Sequence, residues 1–330
     1  MTIVTIMAGG LGKRMNSTIP KVLHLVGNEP MLVRVIKTAL QINPKKIFII
    51  VGKYKLEIEL CLKEYNVLNN IEFIIQETAL GTGHAIQCCV PMLEKCEKDD
   101  DIIILSGDVP LITEKLLKDL NKNINYAKIV TTNYDNPQGY GRIICKNDKF
   151  LKIVEEKDCN DQEKQCKIIN SGIYAFKNKY LLEYVMKLNT NNAQNEYYLT
   201  DIFEIILKSI EGSFIDLLNI LREDQYQLEG INNISQLNEM NKLYEKMNNK
   251  ELIFCCPHCN QQIIINIKDL NCKIFRHGIL KSTYKQIDPH MKKIECDKLS
   301  NDGLIYGCGR PFRIFLDNTG DYNIIECEYI

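Results

Sequence analysis

The segment Ile3-Val4-Thr5-Ile6-Met7-Ala8-Gly9-Gly10-Leu11-Gly12-Lys13-Arg14-Met15, with Pro20-Lys21 just beyond, joins a β-branched apolar run to a glycine-rich, basic turn. Glycines directly after a strand let the backbone turn tightly and bring its N–H groups against phosphate oxygens. Arg14 and Lys21 can neutralise the anionic charge that remains. A nucleoside triphosphate fits such a turn, with Ala8, Gly9 and Gly10 at its backbone. The spacing is not Gly-x-Gly-x-x-Gly opening a helix with an acidic residue about 20 positions on, and not the P-loop pattern, so dinucleotide and P-loop readings are weak.

Further short β-branched runs follow at Lys46 to Val51, Ile71 to Gln76, Asp101 to Leu105 and Lys128 to Thr132, with helical patterns at Met31 to Ile42, Leu56 to Tyr65 and Thr82 to Lys95. This alternation predicts βαβ crossovers and an α/β sheet covered on both faces, its ligand crevice at the carboxyl ends of the strands. From Tyr134 the rhythm changes to short strands with turns, Arg142 to Cys145, Phe150 to Glu155 and Gly172 to Phe176, then helices near Tyr180 to Leu188 and Leu199 to Ser209. A mixed, mostly parallel sheet is expected, completing one catalytic unit over residues 1–250. The helix Ile234 to Asn249 ends in a polar junction, after which residues 251–330 read as a separate small domain.

The 330 residues carry 41 Lys plus Arg against 42 Asp plus Glu, a formal charge of -1 that offers no bulk field for nucleic acid or anionic lipid. No apolar run approaches the roughly 18 residues needed to span a bilayer, and Met1 to Gly10 lacks the basic start of a secretory signal. A cytoplasmic protein is expected. Its 14 cysteines then read as thiols or metal ligands in a reducing compartment.

The glycine-rich turn with Pro20-Lys21 resembles the signature of the sugar-nucleotidyltransferase superfamily. Within it, the chain resembles the N-acetylglucosamine-1-phosphate uridyltransferase half of a bifunctional enzyme. The collinear segments are Gln76 with Leu80-Gly81-Thr82-Gly83-His84-Ala85, Gly107-Asp108-Val109-Pro110-Leu111, Gly139-Tyr140-Gly141-Arg142, Val154-Glu155-Glu156-Lys157-Asp158, Asn170-Ser171-Gly172-Ile173-Tyr174, Asn191 to Asp201, and Glu229-Gly230-Ile231-Asn232-Asn233. The resemblance implies a Rossmann-like nucleotidyltransferase domain that joins UTP and N-acetylglucosamine-1-phosphate into UDP-N-acetylglucosamine and pyrophosphate. Such chemistry brings two anions together, so positioning and charge neutralisation must supply most of the catalysis.

Asp108, just after an apolar strand, suits a magnesium ligand at the crevice, and the resemblance supplies Asn232 as its partner. By the same resemblance Gln76, Gly81 and Thr82 read the uracil edge, while Gly141, Glu155, Asn170, Tyr198 and Thr200 bind the sugar. Asn195 departs from the family's usual glycine. His84 reads as structural. The resemblance stops near residue 245, and no hexapeptide repeats follow, so acetyltransferase activity is expected to be absent. Two alternatives stand beside this reading. One is a nucleotidyltransferase for another base or sugar, the other a catalytically silent scaffold whose tail recruits a protein partner.

Residues 251–330 hold seven of the cysteines. Cys256-Pro257-His258-Cys259 is the usual first half of a structural zinc site. Cys296 and Cys308 are taken as the second half, with Cys272, His277 and His290 competing. The tail's β-forming runs, Ile263 to Ile267 and Phe312 to Leu316, suit a zinc-ribbon-like domain too small to fold without metal. Ten basic and ten acidic residues leave it neutral, without the footprint of a nucleic-acid binder.

Overall fold

The computed structural model describes residues 1–330 except 11, 148, 249–250, 268–269, 271–273, 318–320 and 329–330. It divides into two compact units, Met1–Met240 and Asn241–Ile330, with the division inside the helix Ile234–Asn248. Asn249 and Lys250, where the sequence suggests a junction, lie outside the described residues.

The first unit is built on a nine-stranded sheet of β1 (Thr2–Met7), β2 (Lys46–Val51), β3 (Ile71–Ile75), β4 (Asp101–Ser106), β5 (Ala127–Asn133), β6 (Gly141–Lys146), β7 (Lys149–Val154), β8 (Ile168–Lys177) and β9 (Asp216–Asn219), with a separate two-residue pair, Leu25–Val26 with Glu29–Pro30. Their order is β9-β5-β8-β4-β1-β2-β3, with β6 on β8 and β7 on β6. β1 runs parallel to β2 and β4, and β2 to β3, whereas β8 is antiparallel to β4, β5 and β6. Burial on both sides explains the unbroken apolar runs. Val4, Ile6, Ile47, Ile49, Ile103 and Leu105 face one core with the helices Met31–Leu40, Lys55–Glu64 and Glu114–Leu120. Ile3, Phe48, Ile50, Ile102 and Ile104 alternate into the other, with the helices Thr82–Gln87, Asn178–Val185 and Asp201–Ser209.

Three departures from the sequence reading have local causes. The pattern over Thr82 to Lys95 forms two helices, Thr82–Gln87 and Val90–Leu93, because Pro91 has no N–H to give the carbonyl of Gln87. β8 is longer than the run Gly172 to Phe176, since a bulge between Asn170 and Tyr174 interrupts its pattern. Gly172 takes φ +78° there, and the Ser171 hydroxyl donates to the carbonyl of Val130 at 2.7 Å. The short helix Glu114–Leu120, capped by Thr113 Oγ1 accepting from Leu116 N at 3.3 Å, has too few turns to show a period.

The second unit holds a hairpin of Glu251–Cys255 with Gln262–Asn266 and a three-stranded sheet of Ile274–Arg276, Pro311–Leu316 and Tyr322–Glu326. A two-residue pair, Ile279–Leu280 with Ile305–Tyr306, and the helix Lys293–Asn301 complete it. Its buried clusters are small, one around Phe275, Phe312 and Ile314 and one around Ile287, Cys296 and Ile305. No helix among the described residues is long and apolar enough to cross a membrane.

Candidate active site

The turn after β1 is held against its neighbours by backbone bonds. Ala8 N donates to the carbonyl of Ile50 at 2.8 Å. A Cβ on Gly9 would stand 3.1 Å from Gln76 Oε1, so this position brings the backbone against the residue that follows β3. Gly12 takes φ +60°, and a Cβ there would come within 2.7 Å of Lys21 Cβ. The turn therefore folds back onto Lys21, whose short 3-10 turn begins after Pro20.

Asp108 lies just past β4, where Gly107 N still bonds the carbonyl of Met7 at 2.9 Å. The Ser106 hydroxyl donates to Asp108 Oδ1 at 2.7 Å, and the carbonyl of Asp108 accepts from Ile231 N at 3.0 Å, which brings the next residue, Asn232, into the crevice. The Lys21 ammonium pairs with Asp108 Oδ2 and donates to Asn232 Oδ1 at 2.8 Å. Arg14 Nη2 reaches the same amide oxygen at 3.1 Å. Residues 218 positions apart thus meet around one point. Asp108 and Asn232 both present oxygen to a single cationic group, the ammonium, and this donor set fits a hard divalent cation such as magnesium.

At one end of the crevice, a cavity of about 260 Å³ is lined by Gly9, Gly10, Gln76, Gly81, Thr82 and apolar neighbours such as Ile50 and Val22. Gln76 Nε2 donates to the carbonyl of Gly81 at 3.2 Å and lies 3.1 Å from His84 Nδ1. His84 therefore orients the glutamine amide. Gly81 has φ +112°, and a Cβ would come within 2.5 Å of the Tyr197 carbonyl. Gly83 N donates to that carbonyl at 2.7 Å and Leu199 N to Thr82 Oγ1 at 3.1 Å, which bolts this loop to residues 196–199. Asn195, where the family usually has glycine, takes φ +54°. Asparagine is among the side chains best tolerated in that left-handed region, so the departure preserves the turn.

A second cavity of about 500 Å³ is lined by Gly12, Arg14, Lys21 and Asn232, and a third of about 460 Å³ by Arg14, Gly139, Glu155, Lys157 and Gln194. Lys21 is shared by the first two and Arg14 by the last two, so the cavities run on from one another. At the far end Thr200 Oγ1 donates to Glu155 Oε1 at 2.9 Å. A Cβ on Gly141 would meet Glu155 Oε2 at 3.3 Å and Asn170 Cβ at 3.5 Å. Burial pushes the Glu155 carboxyl up from its ordinary range, opposed by the Thr200 hydroxyl. Asn170 Nδ2 lies 2.8 Å from the Tyr174 hydroxyl. Gly141, Glu155, Asn170 and Thr200 are thus brought together, whereas the Tyr198 hydroxyl donates to Asp158 at 3.1 Å. Sequence reasoning assigned no role to Glu196, which lines both the first and second cavities. It lies inside the segment Asn191 to Asp201, but nothing in that pattern sets it apart.

Asp201 opens the helix behind this end, where burial first, then Glu204 and Asp158, push its carboxyl from 3.8 up to about 6. A carboxyl with a raised folded value binds protons more tightly folded than unfolded. The folded state is therefore penalised at neutral pH and relieved as pH falls through that range. Asp201→Asn is expected to raise Tm at pH 7.5 by about 2–4 °C, equivalent to about 1 kcal/mol after screening by solvent. The gain should shrink as pH falls below about 6 and vanish only near about pH 3, below the ordinary value of 3.8, where the carboxyl is uncharged folded and unfolded alike. An equal gain at both pH values would contradict charge as its cause.

In the second unit, ligand atoms of Cys256, Cys259, His277 and Cys308 all lie within 4.8 Å of one another, a group able to hold a metal ion. Cys296 is not part of it. Its helix carries it into the core beside Ile287 and Ile305, fully buried, with its thiol toward the Met291 carbonyl at 3.8 Å. His277, which follows the strand Ile274–Arg276, takes the place that the sequence reading gave to Cys296. Cys272, the other thiol considered, lies outside the described residues.

Residues 3–216 match the nucleotidyl transferase family. A mimivirus protein named a probable UDP-N-acetylglucosamine pyrophosphorylase (Acanthamoeba polyphaga mimivirus) is 39% identical over 239 residues, covering 71% of this chain and 92% of its own. The bifunctional protein GlmU of Buchnera aphidicola is 36% identical over 288 residues, 87% of this chain but 59% of that protein. A solved UDP-glucose pyrophosphorylase complexed with UDP-glucose shares the fold, with a TM-score of 0.60 and 16% identity over 75% of this chain and 99% of its own. By the family match over most of the catalytic unit and the identity to these relatives, the chain belongs to the nucleotidyl transferase family and is an enzyme of that kind.

Proposed function

We propose that this chain joins UTP to N-acetylglucosamine-1-phosphate, giving UDP-N-acetylglucosamine and pyrophosphate. The observation that carries the reading is the meeting of Lys21, Asp108, Asn232 and Arg14 midway between the Gln76 cavity and the Glu155 cavity. A phosphate oxygen of the sugar phosphate attacks the α-phosphorus of UTP, the bond from that phosphorus to the bridging oxygen breaks, and pyrophosphate leaves with both electrons of that bond. No protein nucleophile is needed. Lys21 and Arg14 neutralise the anions that must approach one another, and the Ala8 to Gly10 backbone steers the phosphates. Magnesium, held by Asp108 and Asn232, would supply further charge neutralisation at both phosphates.

At the base end, Gln76 and the backbone at Gly81, with Thr82 beside them, offer the paired donors and acceptors that a uracil edge demands. At the other end, Glu155 and Thr200 accept and donate to sugar hydroxyls, and Asn170 suits the acetamido group, with Tyr198 reaching the sugar through Asp158. We assign no acetyl transfer to residues 251–330, whose fold is a β-rich unit with a Cys/His cluster. Zinc is the ion we propose for that cluster, and a protein partner its outer surface. The described cysteines are all free, in keeping with action in the reducing cytoplasm.

Pyrophosphate release from each of UTP, dTTP and GTP against a panel of sugar-1-phosphates tests the reading. UTP should be preferred over GTP by about 5- to 150-fold, since a mispaired buried donor costs about 1–3 kcal/mol, whereas dTTP presents the same pairing edge and tests the room for its methyl group and the ribose contacts. N-acetylglucosamine-1-phosphate should be the best acceptor. Equal use of UTP and GTP removes Gln76 from the base site, a different preferred sugar overturns the sugar assignment, and no release with any pair overturns the choice of both base and sugar.

A further inference from the structure

We propose that the second unit is built around one structural zinc ion held by Cys256, Cys259 and Cys308 through sulfur and by His277 through Nδ1. The inference is independent of the substrate assignment above. A tetrahedral zinc with bonds of about 2.3 Å to sulfur and about 2.0–2.1 Å to nitrogen keeps its ligand atoms about 3.5–3.8 Å apart. Cys256 Sγ and Cys308 Sγ lie 3.7 Å apart, Cys308 Sγ and His277 Nδ1 also 3.7 Å, and Cys259 Sγ and His277 Nδ1 3.2 Å. All four atoms lie within 4.8 Å of one another, so small side-chain movements close a tetrahedral shell around one ion.

The backbone around them is shaped to hold it. Cys256 N bonds the Gln261 carbonyl at 2.8 Å and Asn260 N the Cys256 carbonyl at 2.9 Å, closing a knuckle that Asn260 turns with φ +59°. The opposing knuckle needs glycine twice. Gly307 takes φ +103°, and a Cβ there would stand 2.4 Å from the His277 carbonyl, while Gly309 N donates to that same carbonyl at 2.7 Å. Gly309 itself takes φ +71°. These contacts fix Cys308 opposite His277 and turn the imidazole Nδ1 toward the three sulfurs.

Two other candidates are occupied elsewhere. His258 sits inside the Cys-x-x-Cys, but its Nε2 lies 2.7 Å from the Pro311 carbonyl and its Nδ1 3.5 Å from Glu326. Cys296 is sealed beneath the second knuckle, where a Cβ on Gly309 would meet it at 3.4 Å. Three thiolates and one neutral imidazole leave no open position for water or substrate, so the ion is structural. It joins the hairpin Glu251–Asn266 to the segments carrying His277 and Cys308. Around it, among the described residues, the buried apolar cluster holds six residues, Cys256 among them, too few to fix such a unit alone.

Elemental analysis of the full chain, purified without chelator from zinc-replete cells, should give one zinc per chain. Exchange with cobalt should give intense tetrahedral d–d bands with thiolate charge transfer. Cys296→Ser should keep one zinc, whereas Cys308→Ser and His277→Ala should lose it. Because those two variants risk unfolding, His277→Cys provides a second readout: it should retain the ion and move the cobalt bands to longer wavelength as a fourth thiolate enters. Absence of metal, iron in place of zinc, weak octahedral cobalt bands, or loss of zinc in a folded Cys296→Ser protein each overturns the assignment.

Discussion

Asp108→Ala is expected to lower turnover by about a thousandfold or more while leaving the protein folded, because it removes the carboxylate that faces the Lys21 ammonium where the anionic groups converge. The fold should survive, since the contact that Asp108 makes with the rest of the chain is largely through its backbone, whose carbonyl accepts from Ile231 N at 3.0 Å. What is lost is the side chain that receives the Ser106 hydroxyl at 2.7 Å and faces the Lys21 ammonium. Lys21 would then rest on Asn232 alone, a neutral oxygen with no charge to hold a divalent cation. Asp108→Asn separates shape from charge: it preserves the acceptor for Ser106 but should be almost as inactive. Pyrophosphate release measured over a magnesium titration decides it. Near-normal rates at ordinary magnesium concentration in either variant would remove Asp108 from the metal site.

How much of this could be read from the chain depends on the range of each interaction. β1, β2 and β4 are legible because burial on both faces leaves their interiors almost wholly apolar, whereas β9, three half-buried residues and one exposed at the sheet edge, carries no such pattern. The bulge at Gly172 hid half of β8 for the opposite reason, since it replaces strand periodicity with a turn. At the site, the glycine-rich turn announces a phosphate because its chemistry is local. The meeting of Asp108 with Asn232 is not local, for it depends on one backbone bond between segments over 120 residues apart, and only resemblance could supply it. The tail repeats the lesson. Cys-x-x-Cys fixes two ligands by spacing alone, but His277 and Cys296 differ only in which side of a small fold they reach, and a helix buries the cysteine.

Arg14→Ala is the second large loss expected, about 10²- to 10³-fold in kcat, the scale seen when one donor to a developing anion is removed. In the structure this guanidinium is exposed, and one nitrogen is tied to Asn232 Oδ1 at 3.1 Å. An exposed cation in water contributes little, because solvent screens it. The value of Arg14 must therefore arise when substrates cover it. It lines both the cavity shared with Lys21 and the cavity shared with Glu155, so it stands where the two phosphate groups would meet and exclude water. Its remaining donors then act in a drier medium on charge that grows as the new bond forms. On that account kcat should fall more than KM for UTP rises, and Arg14→Lys should recover only part of the rate, since an ammonium cannot bond Asn232 and a phosphate in the same planar fork. Unchanged kcat with altered choice of base would place Arg14 at the uracil instead, and unchanged kinetics would leave it a solvated side chain beside the cleft.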